Sequence, residues 1–343
     1  MAEKKYEALE RVVVLYNLDT DWPKADQTNA LRLVDYMVAS LEGMNLRATP
    51  VQIQEDLEPL SNYDPDKWIV FNWCEGFAGQ PWSDASVAKE LEQRGFVYTG
   101  ADARTLKKSQ NKHIVKKALL SAGAPTPPGQ AMHHRQVKEW MYYPAMVKPA
   151  NQHCSYGISR ASVVESSAEL ARQILRIEEE FDSPALVEPF IDGREFHVGV
   201  WGNRKPEVLP PVELDYSRYS DMHDRIYTFE SKFNPDSDGW TGIKWFCPAE
   251  VDEKLFGLLE DAAIAAYRAM RCRDYARMDI RLWNGAPMVL DVNPNPDLDP
   301  ESVIPMAAQS AGFDYGRMVH RILELAAARL RLRRSRRVKK AVK

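Results

Sequence analysis

The sequence has no long apolar run and no leader-like start. Among its 343 residues, no hydrophobic stretch reaches the roughly 18 residues that a membrane-spanning helix needs. The first residues, MAEKKYEALERVVV, are charged and lack the apolar core of a signal peptide. We therefore expect a cytoplasmic protein with no membrane partner.

Paired cysteines and the common short catalytic motifs are also missing. The four cysteines show no C-x-x-C spacing, and they are Cys74, Cys154, Cys247 and Cys272. This argues against a structural zinc site or a disulfide framework and fits a reducing compartment. The chain has no nucleophile elbow, no Walker A loop and no G-x-G-x-x-G run, so the usual signatures of serine hydrolases, P-loop NTPases and dinucleotide enzymes are absent.

Acidic residues outnumber basic ones in the body of the chain as a whole but not at its C-terminal end. The net charge is −4, yet Arg329–Lys343 contains nine Lys or Arg and no acid, and removing these nine charges leaves −13 on the rest. So acidic a body excludes a nucleic-acid binder of the usual kind. The tail has the composition either of a solvated helix extension or of a segment that touches RNA, anionic lipid or an acidic partner. We assign it no function.

The first hundred residues alternate between strand and helix patterns. This alternation predicts an open, mostly parallel α/β unit, whose ligands bind beyond the carboxyl ends of its strands. The loops at that edge are Asn17–Asp26 and Trp73–Trp82. The predicted strands are Arg11–Tyr16, Leu46–Ile53 and Trp68–Asn72, and the predicted helices are Asn29–Leu41 and Ser83–Arg94, the second capped by Ser83.

The remaining length predicts one or two further domains. A helix at Lys107–Ala122, stopped by Gly123 and a proline-rich hinge, leads into the next region. The polar run Ser217–Pro248 has the length and composition of a functional lid or a disordered loop. The other predicted strands are Ala145–Lys148, Ile158–Val164, Ala185–Pro189 and Glu195–Trp201, and the other predicted helices are Ser167–Glu180, Lys254–Met270 and one from about Asp314.

A hairpin between Arg277 and Asn293 has the clearest pattern in the chain. Polar and apolar residues alternate on both sides of Asn284-Gly285, which is a hairpin-turn signal. A two-residue loop would set Asp279 against Leu290 and mix the two faces. A three-residue loop sets Asp279 against Asp291 and keeps the polar residues on one face, so we expect the three-residue loop.

Two carboxylates placed directly opposite each other repel and need a cation. Asp279 and Asp291 would lie roughly 4.5–5.5 Å apart at Cβ, with Asn293 beside them. Two carboxylates and an amide oxygen suit Mg²⁺ (or Mn²⁺), which commonly keeps substrate phosphates as its other ligands. The alternative is a polar sheet face covered by water or salt-bridged to Arg277 and Arg281.

Five stretches in this order resemble the ATP-grasp superfamily, and within it the D-alanine–D-alanine ligases. They are YTGADARTLKKSQNKHIVKKAL, MVKPANQHCSYGIS, ALVEPFIDGREFHVGVWGN, RIYTFESKF with FCPAE, and ARMDIRLWNGAPMVLDVNPNPDLDPES. The resemblance implies an α/β fold in which an N-terminal Rossmann-like open sheet (1–105) precedes two ATP-grasp subdomains that clasp ATP between them. These would be a small lid subdomain (106–190) and a large C-terminal subdomain (191–330), followed by the basic tail (331–343).

The resemblance also implies an ATP site. Lys112 and Lys148 would hold the phosphates under a mobile loop, and Glu195 would hold the ribose hydroxyls. Without the family, Lys112 reads as a surface lysine and Glu195 as a glutamate paired to Arg194. The implied loop residues are Ser155 and Gly157, and the implied linker to adenine consists of Glu188, Pro189, Phe190 and Ile191.

The reaction implied is ATP-dependent formation of an amide through an acyl phosphate, with release of ADP and phosphate. Arg277 would stabilise the acyl phosphate and the oxyanion. Tyr227 and Lys232 match the lid residues that reach the reacting groups. Ser302 with Lys232 matches the pair that holds the second substrate's carboxylate, while ordinary packing and helix capping are the alternatives for Tyr227 and Ser302.

Departures from the family pattern concentrate at the first substrate's pocket. Glu75 replaces a histidine, Cys154 a serine and Asp297 a glycine, while Asp291 stands where glutamate is more frequent. We therefore expect amino-acid-like substrates, the first of them other than plain D-alanine. A true D-alanine–D-alanine ligase, a phosphotransferase and a non-catalytic ATP-binding module are the alternatives, and the resemblance suggests a homodimer.

Overall fold

A computed structural model describes residues 10–19, 21–76, 79–80 and 83–341, and the side chains of these residues up to 330. Residues 20, 77–78 and 81–82 of the two predicted ligand loops therefore lie outside the described part. The strands are β1 Arg11–Asn17, β2 Arg47–Ile53, β3 Ile69–Trp73, β4 Val97–Tyr98, β5 Gln130–Met132, β6 Ala145–Pro149, β7 Val163–Val164, β8 Ala185–Pro189, β9 Glu195–Gly202, β10 Glu207–Val208, β11 Val212–Asp215, β12 Lys244–Phe246, β13 Asp274–Trp283 and β14 Ala286–Pro294. The helices are α1 Lys24–Glu42, α2 Asp84–Gln93, α3 Ala103–Ser109, α4 Lys112–Ser121, α5 Ser167–Phe181, α6 Phe229–Phe233, α7 Asp238–Gly242, α8 Glu253–Ala269, α9 Val303–Ser310 and α10 Tyr315–Ala341.

The first four strands form a parallel sheet in the order β2-β1-β3-β4, as the alternating pattern predicts. β1 is buried on both faces, which is why it reads as a continuous apolar run. One face packs on α1 and the other on α2. Ser83 precedes α2 as expected, but its Oγ donates to the carbonyl of Gln80.

The prediction of a single helix at Lys107–Ala122 is wrong, because the chain forms two helices in this region, α3 and α4. Asn111 separates them and accepts a hydrogen bond from the backbone N–H of Ile114 at 3.0 Å. An asparagine side chain competes with helical backbone in this way, so it starts a new helix instead of continuing the old one. The break places Lys112 at the start of α4, where its backbone N–H donates to the carbonyl of Ala150 at 2.8 Å.

A second sheet has the order β5-β8-β6-β7 and is antiparallel throughout. The amphipathic helix α5 covers it, with Ser166 accepting from the Glu169 N–H as its N-cap. The strand predicted at Ile158–Val164 is shorter than expected, because Arg160–Ser162 forms a 3₁₀ turn and only β7 is extended.

The third sheet runs β12-β11-β9-β13-β14, with β10 paired to β9. Helix α8 packs across it. The polar run predicted as a lid or disordered loop carries two short helices, α6 and α7, and edge strand β12.

The central hairpin has the predicted register but a different turn. Asp279 pairs with Asp291 and Arg277 with Asn293, as expected. The prediction of a three-residue loop is wrong. Trp283 pairs with Ala286 across a two-residue turn, in which Asn284 and Gly285 both have positive φ. A β-bulge at Leu290, between the partners of Asp279 and Ile280, supplies the one-residue shift instead.

The C-terminal helix α10 returns to the first sheet. Its buried residues share one apolar core with α1, β1 and β3, and with Trp201 and Tyr275 of the third sheet. Near the middle of the helix, the guanidinium of Arg329 bonds to the buried carboxylate of Asp274 and to the carbonyl of Tyr98. The helix continues to Ala341 through most of the predicted basic tail, and among the helices described here none is both long and apolar enough to cross a bilayer.

Candidate active site

Two buried lysines share one buried glutamate. Lys148 Nζ on β6 lies 2.5 Å from Glu188 Oε1 on β8, and Lys116 Nζ on α4 lies 2.6 Å from Glu188 Oε2. Burial raises the pKa of Glu188, but the two ammonium groups outweigh it and lower that pKa to about 2. The trio keeps one positive charge in excess, which an anion such as a phosphate can neutralise. Both oxygens of the Glu188 side chain are thus paired with lysines.

Lys112 lies on the other side of the loop that follows β6. Its Nζ donates to the carbonyl of Gln152, and burial lowers its pKa while the nearby Asp291 opposes that shift. The loop itself is tied to the segment after β11, because Ser155 Oγ donates to the Tyr227 carbonyl at 2.9 Å. The candidate site between this loop, β9 and the β13–β14 hairpin is called the cleft. Gly157 has φ +79°, and a Cβ there would lie 2.7 Å from Pro149, so glycine is required at this point of close approach.

The predicted metal ligands are brought together on β13 and β14. Arg277 forks onto Asp279, with Nε 2.7 Å from Oδ1 and Nη2 3.0 Å from Oδ2, and Asn293 Nδ2 donates to the same Oδ2 at 3.1 Å. Arg277 and then His197 lower the pKa of Asp279 against the effect of its burial. Asp291 Oδ1 accepts from the Val292 N–H.

This donor set fits a hard divalent cation. Two carboxylates on paired strands and one amide oxygen match the ligands that Mg²⁺ prefers. In the described ranges, no three or more His, Cys, Asp or Glu side chains form a group able to hold a metal ion. An ion held by Asp279, Asp291 and Asn293 would take its remaining ligands from phosphate oxygens and water.

Glu195 is buried at the start of β9 and is surrounded by donors. Arg281 Nε and Nη2 lie 2.8 and 2.7 Å from its Oε2, and the Tyr216 hydroxyl donates to the same oxygen at 3.0 Å. The alternative of a pair with Arg194 is wrong, because Arg194 forks onto Glu213 instead. Although burial raises the pKa of Glu195, Arg281 and His197 lower it to about 2.

The predicted lid residues lie over the same cleft. Lys232 Nζ is 4.8 Å from the centre of the Tyr227 ring, and that ring packs on Trp245 at 5.5 Å between centroids. Burial and the neighbouring Arg277 lower the pKa of Lys232. Burial raises the pKa of Tyr227 to about 12, so its hydroxyl stays protonated.

At the first-substrate end, the structure brings Glu75, Cys154 and Asp297 within electrostatic reach of one another. Burial, and then Asp297, raise the pKa of Glu75. Burial raises the pKa of the Cys154 thiol, with Lys232 opposing and Glu75 adding to the shift. Ser302 Oγ donates to the Asp297 carbonyl at 2.8 Å, so in the described structure it contacts this loop and not Lys232.

The comparison with known proteins agrees with this arrangement of lysines, acids and lid. The family model described as "D-ala D-ala ligase C-terminus" matches residues 124–324. A D-alanine–D-alanine ligase from Desulforudis audaxviator is 30% identical over 311 residues, which is 89% of this chain and 96% of that protein. The chain belongs to the D-alanine–D-alanine ligase family.

Two further comparisons, one with a sequence relative and one with a solved structure, concern the same ligase family. An uncharacterised protein, y4sG, from Sinorhizobium fredii is 34% identical over 267 residues, 76% of this chain and 75% of that protein. The crystal structure of the Bacillus anthracis D-alanine–D-alanine ligase complexed with ATP superposes with a TM-score of 0.70 at 21% identity, covering 94% of this chain and 99% of that one. The predicted ATP-grasp α/β fold is confirmed, and the protein is an ATP-dependent ligase that forms C–N bonds.

Sequence reasoning missed several groups in this ligase's cleft. Lys116 has a charged type that is seldom buried, so the pattern gave no reason to place it beside Glu188. His197 Nε2 lies 3.3 Å from Glu195 Oε1 and 3.8 Å from Asp279 Oδ1, and thus bridges two acids with distinct predicted roles. The sequence signal for His197 was its position two residues after Glu195, which places both side chains on the same face of the strand.

Proposed function

We propose that this ligase activates the carboxylate of one amino-acid-like substrate and joins it to the amine of a second. The carboxylate oxygen attacks the γ-phosphorus of ATP, and the bond to the β–γ bridging oxygen breaks, which gives an acyl phosphate and ADP. The amine then attacks the acyl carbon, and phosphate leaves as the amide forms and a proton is released. We further propose that the first substrate is not plain D-alanine.

The excess positive charge around the cleft supports the phosphoryl-transfer step. In this proposal Lys148 and Lys112 hold the phosphates, and free backbone groups of the linker from Glu188 to Ile191 meet the base. A bound Mg²⁺, held by Asp279, Asp291 and Asn293, would neutralise charge on the β- and γ-phosphates. Catalysis here consists mainly of positioning and charge compensation, which is how phosphoryl transfer generally proceeds in enzymes.

Arg277 is the residue best placed to serve the acyl phosphate. It is a fork of five donors that is always protonated, and it touches Asp279 with only two of its nitrogens. Lys232 and the Tyr227 hydroxyl approach from the lid side. These three groups can stabilise the negative charge on the tetrahedral intermediate without any nucleophile from the protein.

The observation that carries the substrate class is the mixture of charges at the Glu75 end. Asp297 adds to the burial that raises the pKa of Glu75, while Lys232 and Arg277 oppose the burial that raises the pKa of the Cys154 thiol, so acidic and basic groups both lie near this end. A zwitterion with an ammonium and a carboxylate complements both signs. Glu75 and Asp297 stand where the family resemblance implies histidine and glycine, which supports a first substrate that differs from D-alanine.

A screen of phosphate release tests the proposal. The purified full-length protein is incubated with Mg-ATP and pairs of D- and L-amino acids, and products are identified by mass spectrometry. We expect ADP and an amide product with at least one pair and weak turnover with D-alanine alone. Robust turnover with D-alanine alone would overturn the altered specificity, and ATP binding without ADP from any pair would favour a non-catalytic module.

The homodimer, the cytoplasmic location and the three subdomain boundaries stay predictions. The boundary at 190 falls between the second and third sheets, whereas those at 105 and 330 fall inside α3 and α10. Light scattering on the purified protein in solution measures the oligomeric state. A mass equal to one 39.2 kDa chain would contradict the dimer.

A further inference from the structure

Arg281 lies on β13 directly opposite Glu195 on β9, and it is only 4% exposed. Its Nε and Nη2 both approach Glu195 Oε2, which also accepts from the Tyr216 hydroxyl. In the part of the chain described here, Oε1 of the same carboxylate receives only the 3.3 Å contact from His197. One carboxylate oxygen is therefore saturated and the other is nearly free.

The same guanidinium also bonds to two segments that flank the cleft. Nη1 donates to the Ile191 carbonyl at 2.8 Å, and Nη2 donates to the Arg225 carbonyl at 2.5 Å. Ile191 belongs to the linker between β8 and β9, and Arg225 to the segment after β11. The rings of Phe190 and Tyr216 lie 5.3 and 5.2 Å from its Cζ. Linker, lid segment and central sheet are thus joined at one side chain.

This geometry differs from an ordinary buried ion pair. Arginine usually gives two parallel hydrogen bonds to both oxygens of a carboxylate. Arg277 does so with Asp279, and Arg194 does so with Glu213. Arg281 instead places Nε and Nη2 on the single oxygen Oε2, so Glu195 Oε1 receives no bond from this guanidinium.

We propose that Arg281 is a positioning residue for the ribose of the nucleotide, holding Glu195 by Oε2 so that Oε1 accepts a ribose hydroxyl. The inference rests on the proposed function, because it requires ATP in this cleft. It also explains why linker and lid meet at this guanidinium, since the base and the ribose must fit between these two segments.

Discrimination between nucleotides that differ only at the ribose tests the role. The full-length protein is titrated calorimetrically with Mg-ATP, Mg-2′-deoxy-ATP and Mg-3′-deoxy-ATP. In the parent, loss of the hydroxyl bonded to an ionised acceptor should weaken binding about tenfold for at least one analogue. In Arg281→Met the ratio of the Kd of that analogue to the Kd of Mg-ATP should fall to within about twofold of one, because Glu195 loses its orientation.

Matched variants separate positioning from general stability. Arg194→Met removes another arginine paired to a glutamate of the same sheet and should leave the ratio unchanged. Tyr216→Phe removes one donor from Oε2 and should reduce the ratio partially. Arg281→Lys keeps the charge but loses the fork, and it carries the same expectation as Arg281→Met if the methionine variant does not fold.

The opposing outcomes are distinct. An unchanged ratio in the folded Arg281 variants would overturn the inference, as would tighter ATP binding, which would mean that Arg281 competes with the nucleotide for Glu195. A parent that binds ATP but ignores the ribose hydroxyls would also overturn it while leaving the proposed function intact. A parent that binds no Mg-ATP would overturn the proposed function itself.

Discussion

The proposed nucleotide end and the proposed first-substrate end of the cleft compensate their carboxylates in different ways. At the nucleotide end, Glu188 and Glu195 are paired with cations, and each pKa is lowered to about 2. At the substrate end, burial raises the pKa values of Glu75 and Asp297, and in the described structure neither side chain has an ion-pair partner within 4 Å. The protein's own groups complete the first end, whereas the second leaves negative charge for a ligand to neutralise.

Removing an acid of the candidate metal site should have the largest effect on this comparison. Asp279→Ala or Asp291→Ala should each lower phosphate release about 100-fold or more, because charge on the phosphates is no longer neutralised. EDTA should abolish turnover, and Mg²⁺ or Mn²⁺ should restore it. The measurements are ADP production and Mg-ATP titration. Asp261→Asn, an exposed acid on α8, is the control, and a fully active Asp279→Ala would contradict the metal site.

The paired end should depend on its ion pairs for stability. Glu188→Gln leaves the ammonium groups of Lys116 and Lys148 buried without a counter-charge, which should lower the free energy of unfolding by about 3 kcal/mol. Urea unfolding measures it, with the exposed Glu179→Gln as the control. A Glu188 variant as stable as the parent would show that the trio is not needed.

The pH dependence of that stability follows from the sign of the shift. The pKa of Glu188 is lowered from 4.5 to about 2, so its contribution is present above the unfolded value and is lost as the pH falls from 4.5 toward 2. The free energy of unfolding of Glu188→Gln should therefore fall less than that of the parent over this pH range. Parallel curves of unfolding free energy against pH for parent and variant would contradict this prediction.

At the unpaired end, Glu75→Gln should impair substrate binding and not ATP binding. We expect kcat/KM for the first substrate to fall about tenfold, because a charge-assisted bond to its ammonium is lost, with KM for ATP within about twofold. Since the pKa of Glu75 is raised, kcat/KM should increase with pH as the carboxyl ionises, and the variant should lack this increase. Steady-state kinetics with Glu55→Gln as a control measure both, and an unchanged pH profile would exclude the ammonium contact.

Cys154→Ser should produce the smallest change. Burial raises the pKa of the thiol, so it stays protonated near pH 7 and is a poor nucleophile. Turnover should change by no more than about threefold, within the effect of one neutral hydrogen bond. Site-resolved alkylation with iodoacetamide should be slow at pH 7, and a loss of activity above about 30-fold would point instead to a covalent role.

The hairpin shows how far a pattern can predict a site. The alternation on β13 and β14 correctly sets Asp279 against Asp291, because only that register keeps the polar face continuous. The turn was predicted wrongly because the same shift comes from the bulge at Leu290. A bulge is defined by the partner strand, so one strand's alternation cannot distinguish it from a longer loop.

Contacts between distant segments were the least predictable. The alternating pattern placed Arg281 on the same strand face as Asp279, but its partner Glu195 lies on β9. That pairing follows from the strand order β9-β13-β14, which local periodicity does not contain. Lys116 shares an amphipathic helix with Val115 and Leu119, and burial of its ammonium depends on Glu188 from a separate sheet.

The return of α10 to the first sheet affects how the chain is made. Strand β4 ends at Tyr98, 217 residues before α10, which helps to cover one face of the sheet, begins at Tyr315. During that interval apolar positions such as Val12 and Phe71 have no final cover and invite premature association. A chain truncated before Met318 would leave the α10 side of this core open to solvent.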